Sequence, residues 1–537
     1  MSFSRRTPSR PNLSRRGFLG LVGATGAAAA LASCGLGGVA GQTADLLPSR
    51  APLPKPFRVP LPIPPVKRPT RSDGTTDYYE IVQQAGVAEI LPGLRTPILG
   101  YDGIFPGPTL VTRSGRRTVV RHRNELPVPV AVHLHGGHTP ADSDGYPTDL
   151  LLPVKGWKPP AHQGHGGSSM LGRVTKGERD YVYPMRQRAA TLWYHDHRMD
   201  FTGPQVYRGL AGFHLVHDDE EAALPLPEGD RDIPLMICDR SFEADGAFRY
   251  PSLDRTLQST PGVLADYMEG ILGDVILVNG APWPELEVEA ARYRFRILNA
   301  SNARRYRLAL TPAPNEGPGF VQVGADGGLL ERPVEHDAIE IAPAERFDVV
   351  VDFSAYKPGT EVTLTNGLGG GQTSQVMRFR VTRKVKDDSR VPDRLSRIER
   401  LDPAKAVRTR EWHFRRGAPQ GDPSGIGGSN VHWTINNKDF DPKRMDAAPK
   451  LGQIEIWRFI SDLHHPVHIH LDPFQVIKRG GGAPGVYDAG WKDTVDVRPA
   501  EYVDVAVRFT DYRGAYMLHC HNLEHEDMAM MAAYETV

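Results

Sequence analysis

The sequence predicts an all-β protein built of three β-sandwich domains, and three observations carry that expectation. The chain has 537 residues, room for about three domains at roughly 100–200 residues each. Gly and Pro number 55 and 47, so turns punctuate it closely. Between the turns, short β-type runs recur, as in Thr118–Arg123, Phe347–Asp352 and Tyr502–Val507. No long amphipathic helical pattern interrupts them.

From the N-terminus, Ser14-Arg15-Arg16-Gly17-Phe18-Leu19 reads as a twin-arginine export signal. The apolar run from Gly20 to Ala32 is too short to remain as a membrane span. Leu31-Ala32-Ser33-Cys34-Gly35 looks like a bacterial lipobox, in which Cys34 becomes an acylated first residue; the alternative is an ordinary signal-peptidase site. Residues 1–34 are therefore set apart from the fold. Their reading places the mature protein at the periplasmic or extracellular face of a membrane, touching it only through a lipid on Cys34. Residues 35–74, rich in Gly, Pro and basic side chains, read as a tether and extended arm. The three domains are expected at 75–220, 228–384 and 400–537, with a charged linker before the last. The stretch from Pro153 to Arg179, carrying His162 and His165, reads as a surface loop.

Lys plus Arg and Asp plus Glu are both 64, a balance that gives no footing for nucleic acid. The 3 cysteines, Cys34, Cys238 and Cys520, cannot make a disulfide framework. Cys238 ends the apolar run Pro234–Cys238 and reads as a small core residue.

The chemistry lies in the histidines. Half of the 20 fall into four tight clusters: His133 and His135; His195 and His197; His465, His468 and His470; and His519, His521 and His525. Each contains a His-x-His pair, and on a strand that spacing turns both imidazoles to one face, where they can converge on metal. The last cluster adds Cys520 between its paired histidines. Alternation then sends the thiolate to one side of the strand and His519 and His521 to the other. One segment could serve two metal sites joined by covalent backbone. Two His, a Cys and a distant Met are the ligands of a blue-copper electron-transfer site, and His465, Cys520, His525 and Met530 supply them. Zinc, which does not change oxidation state, would leave the joining segment without purpose.

The four clusters, in this order and at these intervals, resemble the multicopper oxidases, as do Gly490-Trp491-Lys492-Asp493-Thr494-Val495 and Arg294-Phe295-Arg296-Ile297-Leu298-Asn299. The resemblance spans nearly all of the mature chain. It implies three cupredoxin-like Greek-key domains and four copper ions. A type 1 copper would take His465, Cys520, His525 and axial Met530, with Met528 and Met531 as rival axial residues. A type 2 copper would take His133 and His468, and a type 3 pair His135, His195, His197, His470, His519 and His521. Electrons from a small reducing substrate would pass through Cys520 to His519 and His521, and dioxygen would be reduced to water. Asp144 and Glu526 match the family's acids and would relay protons or hold second hydrogen bonds. His138, His214, His217 and His464 lie outside the motifs and read as structural.

The motif Asp142-Ser143-Asp144-Gly145-Tyr146 resembles the spore-coat laccase and phenoxazinone synthase group, and the His519–Asp527 stretch also resembles bilirubin oxidase. Leu463 stands where bilirubin oxidase has Trp, and the 12 methionines form no cluster in the last domain of the kind that cuprous oxidases carry. The resemblance thus favours oxidation of phenols, aromatic amines or pigments. The alternatives are oxidation of Cu(I) or Mn(II), and a non-enzymatic exported cupredoxin scaffold, which lacks such ligands.

Overall fold

The computed structural model describes residues 41–157, 172–417 and 433–537. The export signal, Cys34 with its lipobox, His162 and His165 lie outside them. Among the described residues the chain is all-β, with only short helices.

Three pairs of sheets follow one another along the chain. Strands between Val66 and His217 form two five-stranded sheets. Strands between Asp232 and Lys384 form a seven-stranded and a five-stranded sheet. Strands between Arg408 and Thr536 form two more of five. The expected strands appear at Arg117–Asn124, Arg346–Asp352 and Tyr502–Arg508. Cys238 lies inside Asp232–Arg240 and is buried in the core of the middle unit. The expected surface loop is strand at its end, where Thr175–Lys176 and Glu178–Tyr183 pair with neighbours.

Each sandwich closes because alternate side chains on facing sheets are apolar. In Ile454–Ser461, Glu455, Trp457, Phe459 and Ser461 turn inward and are buried, while the residues between them are half-exposed. The Trp457 and Phe459 rings enter a core that also contains Cys520 and Met530.

Before the first sandwich, the arm runs extended. Asp45–Leu47 pairs in parallel with Ile271–Gly273 of the middle unit, so the arm is stitched to a domain remote from it in sequence.

Candidate metal centre

Strand register brings the histidine clusters together. Val132–His135 runs antiparallel to Ala190–Asp196 with His133 opposite His195, and His465–Ile469 runs antiparallel to Gly514–Cys520 with His468 opposite His519. The first pair belongs to the first sandwich and the second to the last, and they meet face to face. The His133 and His470 rings stack at 3.9 Å, as do His135 and His468 at 3.7 Å. His197, His470 and His521 lie one residue past the ends of their strands, yet their rings stay with their partners, 5.9, 4.9 and 5.5 Å from His195, His468 and His519.

The hydrogen bonds fix which ring nitrogen carries the proton. A carbonyl or carboxylate oxygen can only accept, so the nitrogen touching it must donate, and the other nitrogen of a neutral ring presents its lone pair. His133 Nδ1 donates to the Asp144 carbonyl at 2.5 Å, and His468 Nδ1 to the Asp493 carbonyl at 2.8 Å. His470 Nδ1 donates to Asp144 Oδ2 at 2.6 Å, His195 Nδ1 to the Asp196 carbonyl at 2.8 Å, and His519 Nδ1 to the Cys520 carbonyl at 3.1 Å. His135 is turned the other way, its Nε2 donating to Asp493 Oδ1 at 3.0 Å.

The remaining nitrogens point inward at one another. His133 Nε2 lies 3.4 Å from His468 Nε2, and His519 Nε2 lies 3.2 Å from His470 Nε2 and 3.3 Å from His197 Nε2. His135 Nδ1, His195 Nε2 and both nitrogens of His521 are buried without a hydrogen-bond partner. Burial, reinforced by the neighbouring imidazoles, holds the His133, His468, His470 and His521 pKa values well below that of free histidine, so these rings stay neutral. Lone pair facing lone pair in a buried site is unfavourable unless a cation lies between. The eight histidines therefore fit a multinuclear metal group.

On the other face of the same strand, Cys520 Sγ lies 3.4 Å from His465 Nδ1 and 3.6 Å from His525 Nδ1, which are 3.2 Å apart. Their outer nitrogens are again committed, His465 Nε2 to Asp462 Oδ1 and His525 Nε2 to the Glu269 carbonyl, each at 3.1 Å. His525 rides on the short helix Leu523–Asp527, which Asn522 caps by accepting from the Glu524 amide, and Trp433 stacks on it at 3.6 Å. Burial pushes the Cys520 thiol well above its usual range, so the thiolate form needs a cation beside it. Met530 is fully buried in the same core as Cys520; its amide donates to the His525 carbonyl and its carbonyl accepts from the Cys520 amide. Met528 shares that core, whereas Met531 packs in a different cluster with Met517 and Tyr146.

The two carboxylates named from the sequence lie in the histidine layer. Asp144 is fully buried, and burial drives its pKa well above the usual range. Glu526 lies 3.2 Å from His519 Nδ1 and 3.6 Å from His197 Nδ1. Burial works against its charge, but His197 and His519 outweigh it and bring the carboxyl to about 2. His138 sits apart, between Asp472 and Asp511, and His214 and His217 are bonded to Thr112 and Glu221. His464 lies against the arm, where its amide donates to Thr43 Oγ1.

Sequence reasoning missed four residues that the structure ties to the site: Asp493, Arg346, Asp462 and Trp433. Asp493 sits inside a quoted motif, but its role depends on the first sandwich meeting the last. Arg346 comes from the middle sandwich, which holds none of the metal-type histidines.

The chain is similar to known proteins over most of its length. Multicopper oxidase family models match residues 83–159, 149–221 and 417–537. The laccase of Bacillus subtilis (strain 168) is 36% identical over 529 residues, which cover 88% of this chain and 96% of that one. The bilirubin oxidase of Albifimbria verrucaria is 37% identical over 511 residues, 89% of this chain and 81% of that one. The crystal structure of a laccase from Pediococcus acidilactici superposes with a TM-score of 0.77 at 32% identity, covering 91% of this chain and 96% of that one.

Proposed function

This chain belongs to the multicopper oxidase family, and on that premise we propose that it is a laccase-like oxidase of phenols, aromatic amines or related pigments, exported by the twin-arginine route, that reduces dioxygen to water. Copper, in four ions of which one is type 1, one type 2 and two type 3, would supply one-electron transfer beside Cys520 and reduction of dioxygen among the eight histidines. His465, Cys520, His525 and Met530 would hold the first, His133 and His468 the second, and His135, His195, His197, His470, His519 and His521 the pair. The observation that carries this reading is the strand Gly514–Cys520, which turns the thiol to one buried site and His519 to the other, so that the shortest covalent path between them is the backbone itself.

The other residues have defined tasks. The reducing substrate docks at Asp462, whose side chain is 36% exposed and whose oxygen accepts from His465 Nε2, so the buried ring meets the surface there. Trp433 covers the His525 ring and keeps water from it. A cavity of about 420 Å³, lined in part by His133, His470, Arg188 and Asp472, gives dioxygen and water a way to the histidine layer. Asp144 Oδ2 fixes the His470 tautomer, and its Oδ1, buried without a partner, is placed to hold a proton. Glu526, held ionised between His197 and His519, orients those two rings.

Steady-state oxygen uptake with a phenol, bilirubin and Cu(I), measured side by side, tests the substrate class. Turnover with the phenol supports the reading. Turnover with Cu(I) alone would make the protein a metal oxidase and end the laccase-like assignment.

A further inference from the structure

One residue holds the outer partners of both histidines that flank Cys520. Asp462 accepts from His465 Nε2 with one carboxylate oxygen, at 3.1 Å, and from the Arg416 amide with the other, at 2.7 Å. Glu269 accepts from His525 Nε2 with its carbonyl, at 3.1 Å, and pairs its carboxylate with the Arg416 guanidinium. Arg416 ends the strand Arg408–Arg416 and stands opposite Trp433, whose ring stacks on His525. Trp433 Nε1 donates at 3.0 Å to the carbonyl of Met268, the residue before Glu269. The backbone, side chain and cross-strand neighbour of Arg416 thus reach Asp462, Glu269 and Trp433, the three groups that fix the outer faces of the two rings. The turn that presents Glu269 has no slack. Gly270 takes a φ of +126°, and a Cβ there would lie 2.7 Å from Ala303 Cβ and 2.9 Å from Asn522 Nδ2.

Charge makes Arg416 more than a strut. Burial raises the Asp45 pKa, the Glu269 and Asp266 carboxylates raise it further, and Arg416 pulls it back. Asp462 adds a carboxylate held directly on His465. Arg416 is therefore a cation set among acids at the edge of the site. An electron arriving between His465, Cys520 and His525 lowers the charge there by one, so neighbouring carboxylates oppose its arrival and a neighbouring cation favours it. We propose that Arg416 is a positioning residue that sets the reduction potential of the type 1 site, and with it the range of phenols the protein can oxidise. This rests on the copper and laccase-like reading above and goes beyond it, because Arg416 touches neither ring and belongs to none of the histidine motifs.

The test uses the copper-loaded full-length protein, poised without oxygen against the ferricyanide–ferrocyanide couple while the blue band is recorded. Arg416→Gln keeps the backbone amide on Asp462 and removes the guanidinium charge. It is expected to shift the electron-exchange equilibrium toward the oxidised site at least about tenfold, which is about 59 mV for one electron. Arg416→Lys keeps the charge and should stay within about threefold of the natural protein. Adding Glu269→Gln to Arg416→Gln removes the carboxylate left unpaired and should recover most of the shift. Copper content and the intensity of the band should be the same in all of them. An unchanged equilibrium in Arg416→Gln, an equal shift in Arg416→Lys, or no recovery in the double variant would overturn the proposal. Loss of copper from Arg416→Gln would also overturn it and leave the residue a structural support. A natural protein that shows no blue band when loaded would refute the type 1 reading itself, and the proposal with it.

Discussion

Arg346 of the middle sandwich grips Asp493 of the last one with both arms of its guanidinium, Nη1 reaching Oδ1 at 2.7 Å and Nη2 reaching Oδ2. Asp493 in turn accepts from His135 Nε2 of the first sandwich, and its backbone carbonyl accepts from His468 Nδ1. The middle unit, with no metal-type histidine of its own, thus sets the orientation of two rings contributed by the other two. Removing one partner of a buried pair leaves a bare charge and costs about 3–5 kcal/mol. Arg346→Met is expected to lower the melting temperature and to strip copper from the histidine layer while the Cys520 site keeps its own. Copper content together with electron paramagnetic resonance separates the two. Equal loss from both sites would mean that Arg346 serves stability alone, and Arg346→Lys should restore part of the signal.

Cys520→Ser removes the only thiol within reach of His465 and His525 among the described residues. The intense blue absorption of a thiolate–copper(II) bond should vanish, and oxygen uptake driven by a phenol should fall to background. The copper held by the eight histidines should remain, because the substituted side chain points away from them. Survival of the blue band in the variant would refute the assignment of Cys520.

Asp144 and Glu526 act on the histidine layer rather than at the thiol. Asp144→Asn keeps the size of the side chain but removes the acid that can hold a proton beside His470 Nδ1, and Glu526→Gln removes the charge between His197 and His519. Losing a partner that orients a metal-binding histidine typically costs about 10–100-fold. Each variant is expected to lose activity by that order while a single-turnover experiment still shows the blue band bleaching at the natural rate when a phenol is added without oxygen. Slower bleaching would place the defect upstream, at electron entry.

The sandwiches and the histidine layer were legible in the sequence because both follow from a period of two. His133 with His135, and Cys520 against its neighbours, announce their faces locally. What lay hidden depends on chain segments far apart. Asp493 reads as one acidic residue in a motif until the first sandwich docks on it, and Arg346 reads as a charge just outside the β-type run Phe347–Asp352. The helix that carries His525 is only Leu523–Asp527, too short for a periodic signal. The resemblance, through the spacing from Cys520, favours Met530 over Met531; the strand Met531–Thr536 packs Met531 with Met517 and Tyr146 and not with Cys520.

His138 offers a handle on stability outside the metal layer. Its Nδ1 lies 3.0 Å from Asp472 and its Nε2 2.8 Å from Asp511, while the Tyr512 ring packs at 4.8 Å and Arg186 stands 4.0 Å from Asp511 on the far side. Burial alone disfavours the imidazolium, but the two carboxylates outweigh it and raise the pKa above the 6.5 of an unperturbed histidine. A group whose pKa is raised by folding stabilises the native state fully below its unfolded value, and the contribution disappears as pH climbs through the folded value. The link joins the turn after His470 to the loop that leads into the strand Gly514–Cys520, and His138 and Asp472 both line the cavity beside His133. Thermal unfolding of the natural protein and of His138→Gln across pH should therefore show the widest gap in melting temperature below about pH 6.5. The gap should close on the alkaline side, where the imidazole is neutral in both states. A gap that widened with rising pH would show that His138 braces this corner as a neutral hydrogen-bond donor and not as a cation held between two carboxylates.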